Sequence, residues 1–170
     1  MLYVSSLSKL HDTVASSGAS HMLTVISEGT PVERPETIKA ENHLYLGFHD
    51  ITEELEGHKP PMRHHVEAIL EFGEKWGEEA PLVVHCWAGI SRSTASAYMI
   101  ACASHPEADE RELAQTLRRA APSATPNIRM VRFADEVLGR SGRMTAAIEE
   151  IGRGADAFEG TPFRYWREDF

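Results

Sequence analysis

The chain has only two cysteines, Cys86 and Cys102, among 170 residues, so it has no disulfide scaffold to fold around. A bridge between these two is also excluded by distance. The stretch from Ser93 to Ala103 has no helix breaker and reads as a helix, which puts Cys102 roughly 14 Å from its start. Bridged Cα atoms must approach within about 7 Å. Cys102 is therefore read as a small core residue in an Ala-rich helix. Basic charge is scarce too. Seventeen Lys and Arg stand against 26 Asp and Glu, a formal net charge of −9. That argues against nucleic acid or an anionic membrane surface as the main partner, and leaves room for a local basic pocket. No apolar run approaches the length of a membrane span. Met1 to Thr13 mixes polar and apolar residues and has no signal-peptide core. Internal repeats and low-complexity segments are absent. The expected compartment is the cytoplasm. What is present is ordinary globular composition, 42% apolar and 25% charged, in a chain long enough for one domain with a sizeable core.

The first half alternates strand-like and helix-like segments. Leu2–Val4 reads as a short strand, Ser8–Ala15 as a helix with Gly18 beyond it, and Met22–Ile26 as a buried strand. His43–Phe48 alternates enough to be another strand. The segments 28–36 and 50–61 carry Gly and Pro and read as loops. Met62, Val66, Ile69, Leu70 and Trp76 recur at helical spacing. Leu82–Val84 is a short, fully apolar run, as expected of a strand buried on both faces. Helices follow at Ser93–Ala103, after a capping box at Asp109 and Glu112, at Asn127–Leu138 and around Met144–Ile151. Residues 152–170 show no period and read as a tail packed on the body. The pattern is α/β, with a central, mostly parallel sheet flanked by helices.

The most informative segment joins the apolar strand to the helix that follows: His85-Cys86-Trp87-Ala88-Gly89-Ile90-Ser91-Arg92-Ser93. A strand, a tight loop and a helix N-terminus in this order point backbone N–H groups at one spot and can hold a phosphate-sized anion. Cys86 would lie beneath that anion. Loop amides, the helix N-terminus and the Arg92 cation each favour the thiolate, the form that attacks. Arg92 can grip two phosphate oxygens at once, which lysine cannot. Gly89 permits a positive φ and a close backbone approach. Ser93 can donate a hydrogen bond to the sulfur when it leaves. His85 is placed to orient the loop through a ring N–H bond to a backbone carbonyl.

The segment resembles the signature of the cysteine-dependent protein tyrosine phosphatases, His-Cys, five residues, Arg, then Ser or Thr. Its interior is similar to the dual-specificity branch, and the whole is nearest to short bacterial tyrosine phosphatases. Pro122-Ser-Ala-Thr-Pro-Asn127 is similar to the Pro-Asn segment that follows the signature there. The resemblance covers about Leu23 to Leu138. It implies a single phosphatase domain over 1–170 that hydrolyses phosphotyrosine, and potentially phosphoserine and phosphothreonine, in a phosphorylated protein. It implies Cys86, Arg92, an aspartic acid and Ser93 as catalytic residues, and Trp87, Ala88, Gly89, Ile90, Ser91 and Arg92 as the phosphate cradle. It implies a cysteinyl-phosphate intermediate and neither metal nor cofactor. Its general acid lies on a separate loop, after a strand. Asp50, at the start of the 50–61 loop, is the first choice for that role and Glu54 the second. The family's usual spacing falls nearer Glu53 and Glu54. Reading 56–61 as an insertion accounts for the difference.

Other residues carry weaker signals. Nine histidines show no His-x-x-x-His pair, so they read as surface or satisfied side chains rather than metal ligands. Asn127 fits either a helix N-cap or a residue that positions a loop or the attacking water. Members of the resembled superfamily that favour inositol phospholipids often carry lysines inside this loop, so with none here the resemblance implies an aryl phosphate. Two rivals stay open on sequence alone. One is an arsenate reductase or rhodanese-like sulfurtransferase, for which Cys102 is poorly placed as a resolving thiol. The other is a phosphoprotein-binding module without turnover, against which intact Cys86, Arg92 and Ser93 speak.

Overall fold

The computed structural model describes residues 1–166, so the last four residues of the expected tail lie outside the described part. The elements run β1 (Leu2–Ser6), α1 (Leu10–Ser17), β2 (His21–Ile26), β3 (His43–Gly47), α2 (Arg63–Trp76), β4 (Leu82–Cys86), α3 (Arg92–Ser104), α4 (Glu110–Ala120), α5 (Ile128–Val137), α6 (Arg143–Ile151) and β5 (Phe163–Tyr165). The sheet order is β3-β2-β4-β1-β5. The first four strands are parallel and β5 runs antiparallel to β1 at the edge. The α/β sheet flanked by helices is thus observed as expected, with one antiparallel strand added.

β4 is central because every residue in it is buried. Its alternation divides the core. Leu82, Val84 and Cys86 face the cluster under α2–α6, while Val83 joins Leu10, Val14, Met22 and Ile38 beneath α1. A strand covered on both faces has no polar side to display, which is why its sequence lacks alternating polarity. α3 is buried nearly all round, and its small residues Ala95, Ala97 and Ala101 let it pack close behind the sheet. α4 begins at Asp109, whose carboxylate accepts the N–H groups of Arg111 at 2.9 Å and Glu112 at 3.1 Å.

Two boundaries differ from the sequence reading. α1 runs two residues later at each end, to Ser17, where Gly18 turns left-handed (φ 67°) and closes it. The C-terminal stretch is more than a packed tail, because Phe163–Tyr165 adds the edge strand. Three residues are too few to show a period, so the strand was invisible to pattern. Tyr165 is fully buried and donates its hydroxyl to the Leu113 carbonyl at 2.9 Å. Among the described residues no helix is long and apolar enough to cross a membrane.

Candidate active site

The loop 87–91 links the carboxyl end of β4 to the N-terminus of α3, where open α/β sheets bind their ligands. Cys86, the last residue of β4, is 3% exposed and forms its floor. The conformation of the loop follows from its carbonyls. Those of Trp87, Ala88, Ile90 and Ser91 accept, respectively, the N–H groups of Leu7 (3.1 Å), Gly160 (2.8 Å), Thr125 (2.9 Å) and Asn127 (3.4 Å). All four acceptors are turned outward to surrounding segments. The peptide bonds are trans, so the following amides, of Ala88, Gly89, Ser91 and Arg92, turn the opposite way, inward. The Gly89 N–H reaches Cys86 Sγ at 3.3 Å, and Ser93 Oγ lies 3.1 Å from the same sulfur. Gly89 has φ +71°, and a Cβ there would come within 2.9 Å of the Ser5–Ser6 backbone. No other residue fits at this place.

Arg92 opens α3 and is only 6% exposed. One guanidinium nitrogen, Nη1, donates to the Phe48 carbonyl at 2.7 Å and to Ser27 Oγ at 3.2 Å. Its Nε is buried and has no hydrogen-bond partner among the described residues. An acceptor delivered to this edge would satisfy a buried donor whose desolvation costs about 1–3 kcal/mol.

The two candidate acids part company here. Asp50 lines the cavity above Cys86, together with Trp87, Ala88, Ile90, Ser91 and Arg92. Its Oδ1 accepts from Ser91 Oγ at 2.7 Å and from Asn127 Nδ2 at 2.8 Å. Glu54 instead lies out at the surface, 3.4 Å from Arg129, with its side chain 77% exposed. Asn127 does both things its sequence context allowed. Its Oδ1 caps α5 through the N–H groups of Arg129 and Met130, while its Nδ2 holds Asp50 and the Ile51 carbonyl. One amide side chain thereby ties the 50–61 loop to the N-terminus of α5.

His85 faces away from the cavity. Its Nδ1–H donates to the Cys86 carbonyl (3.3 Å), its Nε2 accepts from Thr24 Oγ1 (2.8 Å), and Thr24 in turn accepts from His43 Nε2 (2.8 Å). This arrangement satisfies all three groups with a neutral His85. Burial pushes its pKa down to about 4. A consequence follows for stability. The unfolded chain takes up this proton near 6.5 and the folded chain only near 4, so stability is full above about 6.5 and falls as pH drops towards 4. His85 alone is expected to account for about 2 kcal/mol between pH 7 and 5. Chemical denaturation at the two pH values checks this, and His85→Gln is expected to flatten the slope.

The cavity above Cys86 measures ≈ 350 Å³. Ala157 and Phe158, from the segment between α6 and β5, also line it, as do Ile26, Ser27 and Thr30. The structure brings together Cys86, Arg92, Asp50, Ser93 and the loop, all of which sequence reasoning had named. That reasoning missed Ser27, the Phe48 carbonyl and the C-terminal wall. Ser27 had a readable signal, since it directly follows β2, the strand next to β4. The C-terminal wall had none. A larger cavity of ≈ 520 Å³ lies between α2, α3 and α5, but its lining of Leu70, Ile100, Val137, Ser104 and glutamates holds neither a thiol nor a basic side chain. Cys102 is free and buried in the core of α3, its thiol pushed up to about 12 by desolvation. Among the described residues no group of three or more His, Cys, Asp and Glu side chains is arranged to hold a metal ion.

No family model matches the sequence, and no curated protein matches it. Solved structures do. A mouse putative dual specificity phosphatase complexed with zinc tungstate superposes with a TM-score of 0.63 at 17% identity, covering 86% of each chain. The fold is that of the dual-specificity phosphatases. Human DUSP28 gives 0.64 at 17% identity over 82% of this chain and 92% of that one. PTPMT1 in complex with PI(5)P gives 0.61 at 16% identity over 83% and 94%.

Proposed function

We propose that the chain, acting as one domain, is a metal-independent phosphatase of aryl phosphate monoesters, phosphotyrosine in a protein being the chief substrate. The observation that carries this reading is the pairing of a buried, unpartnered Arg92 Nε with a thiol ringed by inward-facing amides. Anchoring Nη1 at the back leaves the Nε–Nη2 edge for two phosphate oxygens. Cys86 Sγ attacks phosphorus, an S–P bond forms and the ester P–O bond breaks. Asp50 gives its proton to the departing oxygen. Asp50 then takes a proton from water, which attacks phosphorus and expels the thiolate. The Ser93 hydroxyl, 3.1 Å from Sγ, hydrogen-bonds the leaving sulfur. Ser91 and Asn127 hold Asp50 over the cavity and act as positioning residues.

Charge favours a singly anchored phosphate over a polyanionic headgroup. Arg92 is the one basic side chain among the cavity's lining residues and Asp50 the one carboxyl. PI(5)P, found in the PTPMT1 structure, carries a phosphodiester charge besides its 5-phosphate, and no second basic side chain lines this cavity to meet it.

Asp50→Asn is expected to lower kcat by roughly 10²–10⁴-fold. The loss should be larger for phenyl phosphate than for p-nitrophenyl phosphate, whose leaving group departs without a proton. Glu54→Gln is expected to keep wild-type rates. Steady-state kinetics on both substrates, without metal, decides the assignment. Equal rates for Asp50→Asn and wild type would move the acid elsewhere.

A further inference from the structure

Between α6 and β5 the chain crosses beside the loop 87–91 as a tied-down strap. Gly154 N–H donates to Thr125 Oγ1 at 3.1 Å and Ala155 N–H to the Pro122 carbonyl at 2.9 Å. Gly160 N–H holds the Ala88 carbonyl at 2.8 Å. A Cβ on Gly160 would lie 2.9 Å from the Gly89 carbonyl oxygen, so the strap approaches the loop as closely as a backbone can. The Glu159 carboxylate accepts the hydroxyls of Ser6 and Ser8 at the end of β1. Both ends of the segment are therefore fixed on the elements that build the site.

The residue held between these ties is Phe158, and its ring is 95% exposed. A fixed backbone that leaves a phenyl ring in water gains nothing from packing it. The position of the ring is informative. Phe158 and Ala157 line the cavity that contains Cys86, Asp50 and Arg92. Phe158 also borders an adjoining cavity of ≈ 220 Å³ beside Trp87 and Ala88. Trp87, 59% exposed, lines both. Two large aromatic side chains thus stand on the rim of one anion pocket.

We propose that Phe158 is a specificity-determining residue that packs against the aryl ring of the substrate, with Trp87 supplying the facing apolar wall. The inference rests on the phosphatase reading above and names what that site recognises beyond phosphate. A phosphate seated between Cys86 and Arg92 projects its ester group out through the mouth. An aryl group leaving there meets the Phe158 ring and buries apolar surface on both partners, whereas the short methylene of phosphoserine has little to offer it. Because the strap is pre-anchored, ordering it on binding costs little.

The test uses the full chain carrying Cys86→Ser, which prevents turnover, titrated calorimetrically with phenyl phosphate and with inorganic phosphate. Phe158→Ala in that background is expected to weaken phenyl phosphate about 3- to 10-fold and to leave inorganic phosphate unchanged. Phe158→Tyr is expected to restore the affinity. In the catalytic background the same loss should fall on KM for aryl phosphates, with kcat held. If Phe158→Ala leaves phenyl phosphate binding intact, or weakens both ligands equally, the assignment of Phe158 is wrong while the anion site stands. If neither ligand binds Cys86→Ser, the anion site itself is wrong and the assignment falls with it.

Discussion

Cys86→Ser is expected to reduce turnover of an aryl phosphate by on the order of 10⁴-fold or more, while phosphate still binds. A serine hydroxyl would accept the same Gly89 N–H that now meets the sulfur at 3.3 Å, so the pocket keeps its shape. What it lacks is an anion to attack with. A thiolate is intrinsically the stronger nucleophile, whereas a serine hydroxyl needs a base to deprotonate it. The structure offers none beneath the phosphate. His85 is turned to Thr24 and held neutral, and Asp50 stands across the cavity, tied to Ser91 and Asn127. Rate measurement on the purified variant, with phosphate binding followed separately, checks both halves. Appreciable turnover by Cys86→Ser would place the nucleophile elsewhere.

Arg92→Lys is the second large effect expected, a fall in kcat/KM of roughly 10³-fold despite an unchanged charge. The guanidinium does two jobs with different edges. Nη1 braces the residues that follow β3 and β2 through the Phe48 carbonyl and Ser27, and the remaining edge is the one assigned to the anion in the proposed reaction. An ammonium is a point charge that cannot hold both geometries. If it moves to the phosphate, it abandons the buried Phe48 carbonyl, at a cost of about 1–3 kcal/mol. If it stays, the phosphate loses its bidentate partner. Activity within about tenfold of wild type would show that charge alone suffices and that the paired geometry of Arg92 is not what the site uses.

The loop was legible because its chemistry is local. Cys86, Gly89, Arg92 and Ser93 fall within eight consecutive residues, and the apolar run before them announces a strand. The sheet was legible for the same reason, since β4 is short, apolar and buried on both faces. Asp50 was readable in part. Position after a strand named it, but only the structure shows Ser91 and Asn127 gripping one oxygen and Glu54 drawn off to Arg129. Asn127 lies 77 residues from Asp50 in sequence, and no local pattern records such a contact. The strap was not legible at all. Most of its anchors are backbone N–H groups, which every residue but proline has, Glu159 meets hydroxyls about 150 residues away, and the use of Gly160 depends on an approach that only three dimensions reveal.

The central claim is that Cys86 carries the phosphoryl group during turnover. Rapid acid quench of the protein reacting with phenyl phosphate, followed by peptide mass analysis, tests it most directly. The account predicts one added phosphoryl group on the peptide containing Cys86. It also predicts that the label is absent in Cys86→Ser. Turnover with the label on another residue, or no turnover at any pH from about 5 to 8, would contradict it.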